Sequence, residues 1–252
     1  MRSPLVWIFS QFFIKSYTTV WRLAEVLLML PTRFLRLIKH LGIGVGIIQQ
    51  PLKTWELEMG SQFHHRFAVW WTSFFIYLLE CFGIGELYET LTVVLKFNTR
   101  PLTKEEIALA KTIYGDNLNY NRVRIDQWAA GGPKQMRICY VSFYLINSWG
   151  TMRKSTLIHE LMHVWQYEKT GANYMLHALR AQHSTMGYNY GGVATLKRYL
   201  ANGKNITDFN PEQQADIVTD YFLIKKGQPP QWGSGGQKDL GIYKKFIEDL
   251  GK

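Results

Sequence analysis

The sequence predicts an α+β protein: a mostly helical domain with a small antiparallel sheet, preceded by an apolar, basic helical region. Three observations predict it. The first hundred residues are strongly apolar, with cations placed at helical spacing. Two strand candidates, 118–127 and the β-branched, aromatic 136–145, flank the turn Ala129-Ala130-Gly131-Gly132-Pro133. Composition changes near Arg100-Pro101, dividing the chain into residues 1–100 and 101–252.

The N-terminal region comes first. With 47% apolar and 19% charged residues the chain can bury a core, which excludes a disordered class. Nine Trp and fourteen Phe point to a large core or to a surface that meets lipid or a partner. The net charge of +10 is uneven. Residues 1–55 carry Arg2, Lys15, Arg22, Arg33, Arg36, Lys39 and Lys53 against Glu25 alone, a net +6. Residues 56–102 come to −2 and residues 103–252 to +6. Such a segment suits an anionic membrane surface better than nucleic acid, for which no motif is present. In Arg33-Phe34-Leu35-Arg36-Leu37-Ile38-Lys39-His40 the cations lie opposite apolar residues of a helix. Gly42, Gly44 and Gly46 then loosen the chain; no Walker lysine follows, so a phosphate loop is excluded.

Phe67 to Leu79 is uncharged, and borderline for a membrane span even if extended past Glu80 to Gly85. Residues 1–98 therefore pack on the domain that follows, lie in an anionic membrane interface, or span the membrane. A signal peptide fits poorly, because Lys15 interrupts the first apolar run and no small-residue cleavage site follows. Cys81 and Cys139 sit in apolar runs and read as small buried hydrophobes without a disulfide framework.

The second region follows. Thr103-Lys104-Glu105-Glu106 is a capping box, opening a helix that runs to Tyr114 and stops at Gly115. After the two strands, helices are expected at 153–169, 172–183, 192–201, 211–226 and 238–249, with Gly171, Gly203 and Gly227 near helix ends.

Chemistry concentrates in His159-Glu160-Leu161-Met162-His163. Positions i and i+4 share a helix face, so two imidazoles can grip one ion. Glu160 lies about 100° around the helix, where it can reach a water without taking a ligand position. A catalytic zinc needs a third protein ligand and one open position. A third histidine soon after the helix is excluded, since Gln166 and Lys169 occupy those places. The better candidate is Glu212 in Asn210-Pro211-Glu212-Gln213-Gln214-Ala215-Asp216, where Asn210 caps a helix and Pro211 suits its first turn. Asp216, one turn on, would accept the outer N–H of a ligand histidine. His177 and His183 are weaker substitutes for Glu212, and His40, His64 and His65 read as surface or interfacial.

These residues resemble the gluzincin class of zinc peptidases, to which thermolysin belongs. More closely, Ile158 to Gln166 with Pro211-Glu212-Gln213-Gln214-Ala215 resembles the metallopeptidase domains attached to VgrG and Rhs proteins of bacterial type VI secretion systems. The similarity covers residues 100–228. It implies a zincin-like catalytic domain with His159, His163 and Glu212 on Zn2+ and Glu160 as general base. It also implies a bacterial effector, secreted, translocated or membrane-associated. No spike or repeat shell precedes the domain here, and Pro211 stands where thermolysin has Asn before the ligand Glu.

The expected activity is hydrolysis of peptide bonds in a peptide or protein substrate. Tyr188 or Tyr190, in the loop Met186 to Gly192, would supply a donor to the oxyanion. The strand at 136–145 could take an extended peptide by strand addition. Two alternatives stand beside it: a membrane-acting protein or toxin with a structural metal domain, and a metal-dependent cell-wall amide hydrolase. Glu160 argues against the first, since a structural zinc has no use for a base.

Overall fold

The computed structural model describes residues 4–54, 61–96 and 98–251. Arg2, counted in the basic segment, lies outside them. The chain forms two compact units: residues 1–97 with Gly171–Asn173, and residues 98–170 with 174–252.

The first unit is a helical hairpin. Helix α1 (Pro4–Thr54) lies against α2 (Ser61–Cys81) and α3 (Ile84–Leu95). As numbers rise along α1, partner numbers fall. Lys15 Nζ donates to the Val94 carbonyl at 3.2 Å, Arg22 pairs with Glu89 at 3.5 Å, Arg36 with Glu80 at 3.1 Å, and Trp70 Nε1 donates to the His40 carbonyl at 3.0 Å. The helices are therefore antiparallel. α2 and α3 are bent by 62° at the break between them. Gly83 turns the chain there at φ 69°, and a Cβ on it would meet Val26 at 2.7 Å.

Expected loosening at the glycines is not seen: α1 is helical through Gly42, Gly44 and Gly46. Gly44 is instead a seat for a ring, since a Cβ there would lie 2.4 Å from Trp70. His40 is half-buried rather than at the surface, stacked on Trp70 at 5.6 Å. Among the described residues no single helix is long and apolar enough to cross a membrane, but the bent α2–α3 pair passes by length and composition.

The second unit runs β1 (Thr99–Pro101), α4 (Lys104–Tyr114), β2 (Arg124–Asp126), β3 (Tyr140–Ser142), β4 (Leu145–Asn147), α5 (Lys154–Thr170), α6 (Asn173–Gln182), α7 (Gly192–Ala201), α8 (Pro211–Lys225) and α9 (Leu240–Ile247). The Thr103–Glu106 capping box forms: the Thr103 hydroxyl accepts from the Glu106 amide, and the Glu106 carboxylate accepts from the Thr103 amide.

The sheet differs from the expected antiparallel one. Its order is β1-β2-β4-β3, and β2 runs parallel to β4, with Ile125 opposite Ile146. The outer pairs are antiparallel. The run 136–145 is not one strand but most of a hairpin. Phe143 adopts φ 60°, so the chain folds back between Ser142 and Leu145. β4 then inserts between β2 and β3, which makes the sheet mixed. The other strand shrinks from 118–127 to three residues.

Helices α5 and α8 pack along each other. Ile158, Leu161 and Met162 on α5, Ile217 on α8, and Ile125, Leu145 and Ile146 in the sheet are all fully buried. Burying such side chains stabilises by about 1.5–3 kcal/mol each. This pairing fixes which faces of α5 and α8 confront each other, and the polar site sits on it. Cys81 and Cys139 are both free and only half-buried.

Candidate metal centre

His159 and His163 stand one turn apart on α5, ring centroids 5.1 Å apart and nearly perpendicular. α8 begins where the sequence says it should. The Asn210 side chain accepts from the Gln213 amide at 2.9 Å, Pro211 occupies the first turn, and Glu212 follows in that turn. Glu212 Oε2 lies 3.4 Å from Nε2 of His159 and 3.4 Å from Nε2 of His163. One donor atom from each of the three residues falls within 4.8 Å of the others.

The outer ring nitrogens are occupied, which decides what the inner ones can do. His159 Nδ1 donates to Asp216 at 2.9 Å. His163 Nδ1 faces Gln166 Oε1 at 2.9 Å. The Gln166 amide nitrogen is committed to the Pro211 carbonyl and to Gln214, so its oxygen is the acceptor. Both imidazoles thus keep a proton on Nδ1 and turn Nε2 toward the Glu212 carboxylate, the nitrogen that a metal would take in place of a proton. Glu212 is steadied by Gln182, which donates to Oε1 at 2.8 Å. Asp216 is steadied by Trp232, whose Nε1 donates to it at 2.5 Å.

The electrostatics favour a cation. Burial opposes charge on His159, but Asp216 and Glu212 outweigh it and lift its pKa to about 10. Burial likewise opposes charge on His163, and Glu212 raises it regardless. Burial would raise Glu212, yet the two histidines hold it well below the usual carboxylate range. A proton and a divalent cation compete for the same lone pairs in such a cluster. Two imidazoles and one carboxylate, with their outer atoms braced, are a donor set that fits zinc.

Glu160 supplies the second test of fit. It is 4% exposed, and its Oε2 is buried with no hydrogen-bond partner. Burial raises its pKa, partly offset by the two histidines. It lines a cleft of about 580 Å³ together with His159, His163, Glu212 and Tyr188. β3, an edge strand, lines the same cleft through Tyr140, Val141 and Ser142. The Val141 carbonyl already accepts from the Tyr174 hydroxyl at 2.8 Å.

Tyr188 stands at the cleft with its ring 6.2 Å from that of His159. Burial and the nearby carboxylates push its pKa up, so the phenol keeps its proton and remains a donor. Tyr190 is a correction. It is 1% exposed, and its hydroxyl donates to Asp220 at 2.5 Å and meets Tyr243 at 2.9 Å. It is a core residue that does not line the cleft. Asp220 also accepts from the Gln231 and Trp232 amides at 2.6 and 3.2 Å.

His183 lines the cleft, but its Nδ1 is turned to the Leu179 carbonyl at 2.8 Å; His177 lines a different cavity. Neither joins the cluster. Sequence reasoning missed Gln166, Gln182 and Trp232. Gln166 sits three residues after His163, so helix spacing alone could have placed it there. Nothing in the sequence marks the other two.

No protein-family model matches the chain, and no solved structure matches it significantly. Over 163 residues it is 31% identical to the type VI secretion system spike protein VgrG2b of Pseudomonas aeruginosa, a match that takes in 58% of this chain. The match covers 15% of that protein, so the chain spans a small part of its relative's length.

Proposed function

We propose that this protein is a zinc-dependent peptidase of the gluzincin type, its second unit a zincin-like catalytic domain. One observation carries the reading: His159, His163 and Glu212 bring donor atoms within 4.8 Å of one another, and Glu160, with its buried Oε2 unpartnered, borders the same cleft. A structural metal site needs no such base. The likeness to a secretion-system spike protein supports a bacterial protein that is secreted or translocated, as an effector would be.

His159 and His163 on α5 and Glu212 on α8 would hold the zinc. Bound there, zinc acts as a Lewis acid and brings the pKa of a water toward about 7. Asp216 and Gln166 keep the two rings in the tautomer that leaves Nε2 bare. Glu160 takes a proton from the attacking water and returns it to the leaving amine. Its burial, which favours the protonated acid, suits both halves of that task. Tyr188 donates its hydroxyl proton toward the oxygen that gains charge. The substrate chain lies in the cleft beside β3.

Glu160→Gln is the direct test. It should keep about one zinc per chain and lower kcat on a peptide substrate by roughly 10²–10⁴-fold. Full activity in that variant removes the base and the mechanism with it. Peptidoglycan cleavage without peptide cleavage by the unaltered protein would replace the substrate class.

A further inference from the structure

The first unit is built inside out. Arg22, Arg33, Glu80, Glu86 and Glu89 are all under 7% exposed, whereas Leu27 is 72%, Phe82 73% and Leu95 73% exposed. Three ion pairs cross the hairpin, Arg22 with Glu89, Arg33 with Glu86, and the half-buried Arg36 with Glu80, and Glu25 is buried as well. Water outside would favour the opposite rotation of each helix, with the ion pairs solvated and the leucines packed. In hydrocarbon the observed arrangement is the favourable one, since intramembrane charges pair in the interior of a bundle.

The dimensions agree. On α1, Lys15 and Lys39 bracket residues 16–38, about 35 Å at 1.5 Å per residue; with Arg22, Glu25, Arg33 and Arg36 inside it this stretch is not apolar enough to cross alone and would do so only paired with the returning limb. On the returning limb, Arg66 and Lys96 bracket residues 67–95, where the charged side chains are the buried Glu80, Glu86 and Glu89. The rings of Trp21 and Trp71 are exposed near opposite ends of the paired stretch. Trp71 lies level with His40, so the two rings are separated by about 28 Å along the axis, close to the thickness of a bilayer core. Exposed Lys39, Arg66, His64 and His65 gather at one end.

We propose that residues 16–38 and 67–95 form a hairpin that spans a lipid bilayer, with hydrocarbon covering the outward leucines and phenylalanines and the Arg–Glu pairs sealed between the helices. This is independent of the metal centre.

The test uses the full chain in phosphatidylcholine vesicles, with and without phosphatidylglycerol. Flotation with both compositions, resistant to high salt and to alkaline carbonate, is expected. Release by either wash means surface adsorption and overturns the proposal, as does a protein that stays in solution without detergent. Spin labels on a Cys81→Ser, Cys139→Ser background give a second readout. At Leu27→Cys and Leu91→Cys, collisions with oxygen should persist and collisions with a water-soluble nickel complex should be lost. At Lys39→Cys the nickel complex should have access. Exclusion of both reagents at positions 27 and 91 would instead mean that a second copy of the chain covers this surface.

Discussion

The two units place charge oppositely. In residues 98–170 and 174–252 the interior holds Ile146, Ile158, Leu196 and Ile217, and most of the buried charge lies at the candidate metal centre and along α8. In the helical hairpin the interior holds arginines and glutamates while leucines face out. Both units accept the cost of desolvating charge, and what they obtain differs. The hairpin's pairs cancel one another across a helix interface. Glu212, Asp216 and Glu160 gather around His159 and His163, and the two rings are pushed toward their charged forms, so the cluster favours a positive charge on the nitrogens that face Glu212. Buried charge that is matched within the protein marks structure. Buried charge that is left over marks chemistry.

The sharpest way to break this contrast is inside the hairpin. Arg33→Met strands Glu86 and should cost about 3–5 kcal/mol, read by unfolding of the intact chain. Adding Glu86→Leu should recover most of it. A silent single variant would mean that the pair is not sealed. Apolar positions should show the opposite asymmetry. Leu196→Ala, fully buried in the second unit, should cost about 2–5 kcal/mol. Leu27→Ala on the hairpin should cost under about 0.5 kcal/mol. Equal losses would erase the distinction between an inward and an outward leucine.

A third change addresses the leftover charge. Asp216→Asn should weaken zinc binding by about 10–100-fold in a metal titration, because the His159 ring loses its anionic anchor. Unchanged affinity would make Asp216 a structural acid only.

A smaller effect than at the buried Arg33–Glu86 pair is expected at the half-exposed pair Arg100–Glu106. Its hydrogen bond to Arg100 holds the Glu106 carboxyl below the usual range. A depressed acid contributes stability above its unfolded value of about 4.3 and loses that contribution as pH falls through the folded value. Glu106→Gln should therefore cost about 1 kcal/mol at neutral pH and little in strong acid. High salt should shrink the difference, whereas the Arg33–Glu86 coupling should persist in the same salt.

Much of the second unit was legible because its signals are local. Thr103 with Glu106 marks the start of α4, and Asn210 with Pro211 marks the start of α8. α7 occupies the expected 192–201. The histidine spacing on α5 needs only one turn of helix to be read. The sheet was less legible. Phe143 carries no composition signal for its positive φ, and parallel pairing of β2 with β4 is a long-range choice. At the site, Gln182 and Trp232 reach Glu212 and Asp216 across tertiary structure, so no spacing announces them. Tyr188 and Tyr190 were equivalent as neighbours in one loop; only the position of Asp220 separates them. In the hairpin both stripes, charged and apolar, are plain in the sequence. Which one faces inward depends on the partner helix.

Helix α8 carries acids at every fourth position, Glu212, Asp216 and Asp220, and each serves a different neighbour: two imidazoles, one imidazole with an indole, and the backbone of Gln231 and Trp232. Three tasks therefore share one rotational phase. Replacing any one acid disturbs its own neighbour. Deleting a single residue between 212 and 216 would swing all that follows by about 100°, unhooking the indole and the 231–232 loop from the ring they help to aim. Along this stretch the number of residues constrains the site at three places at once, whereas the identity of each acid constrains it at one.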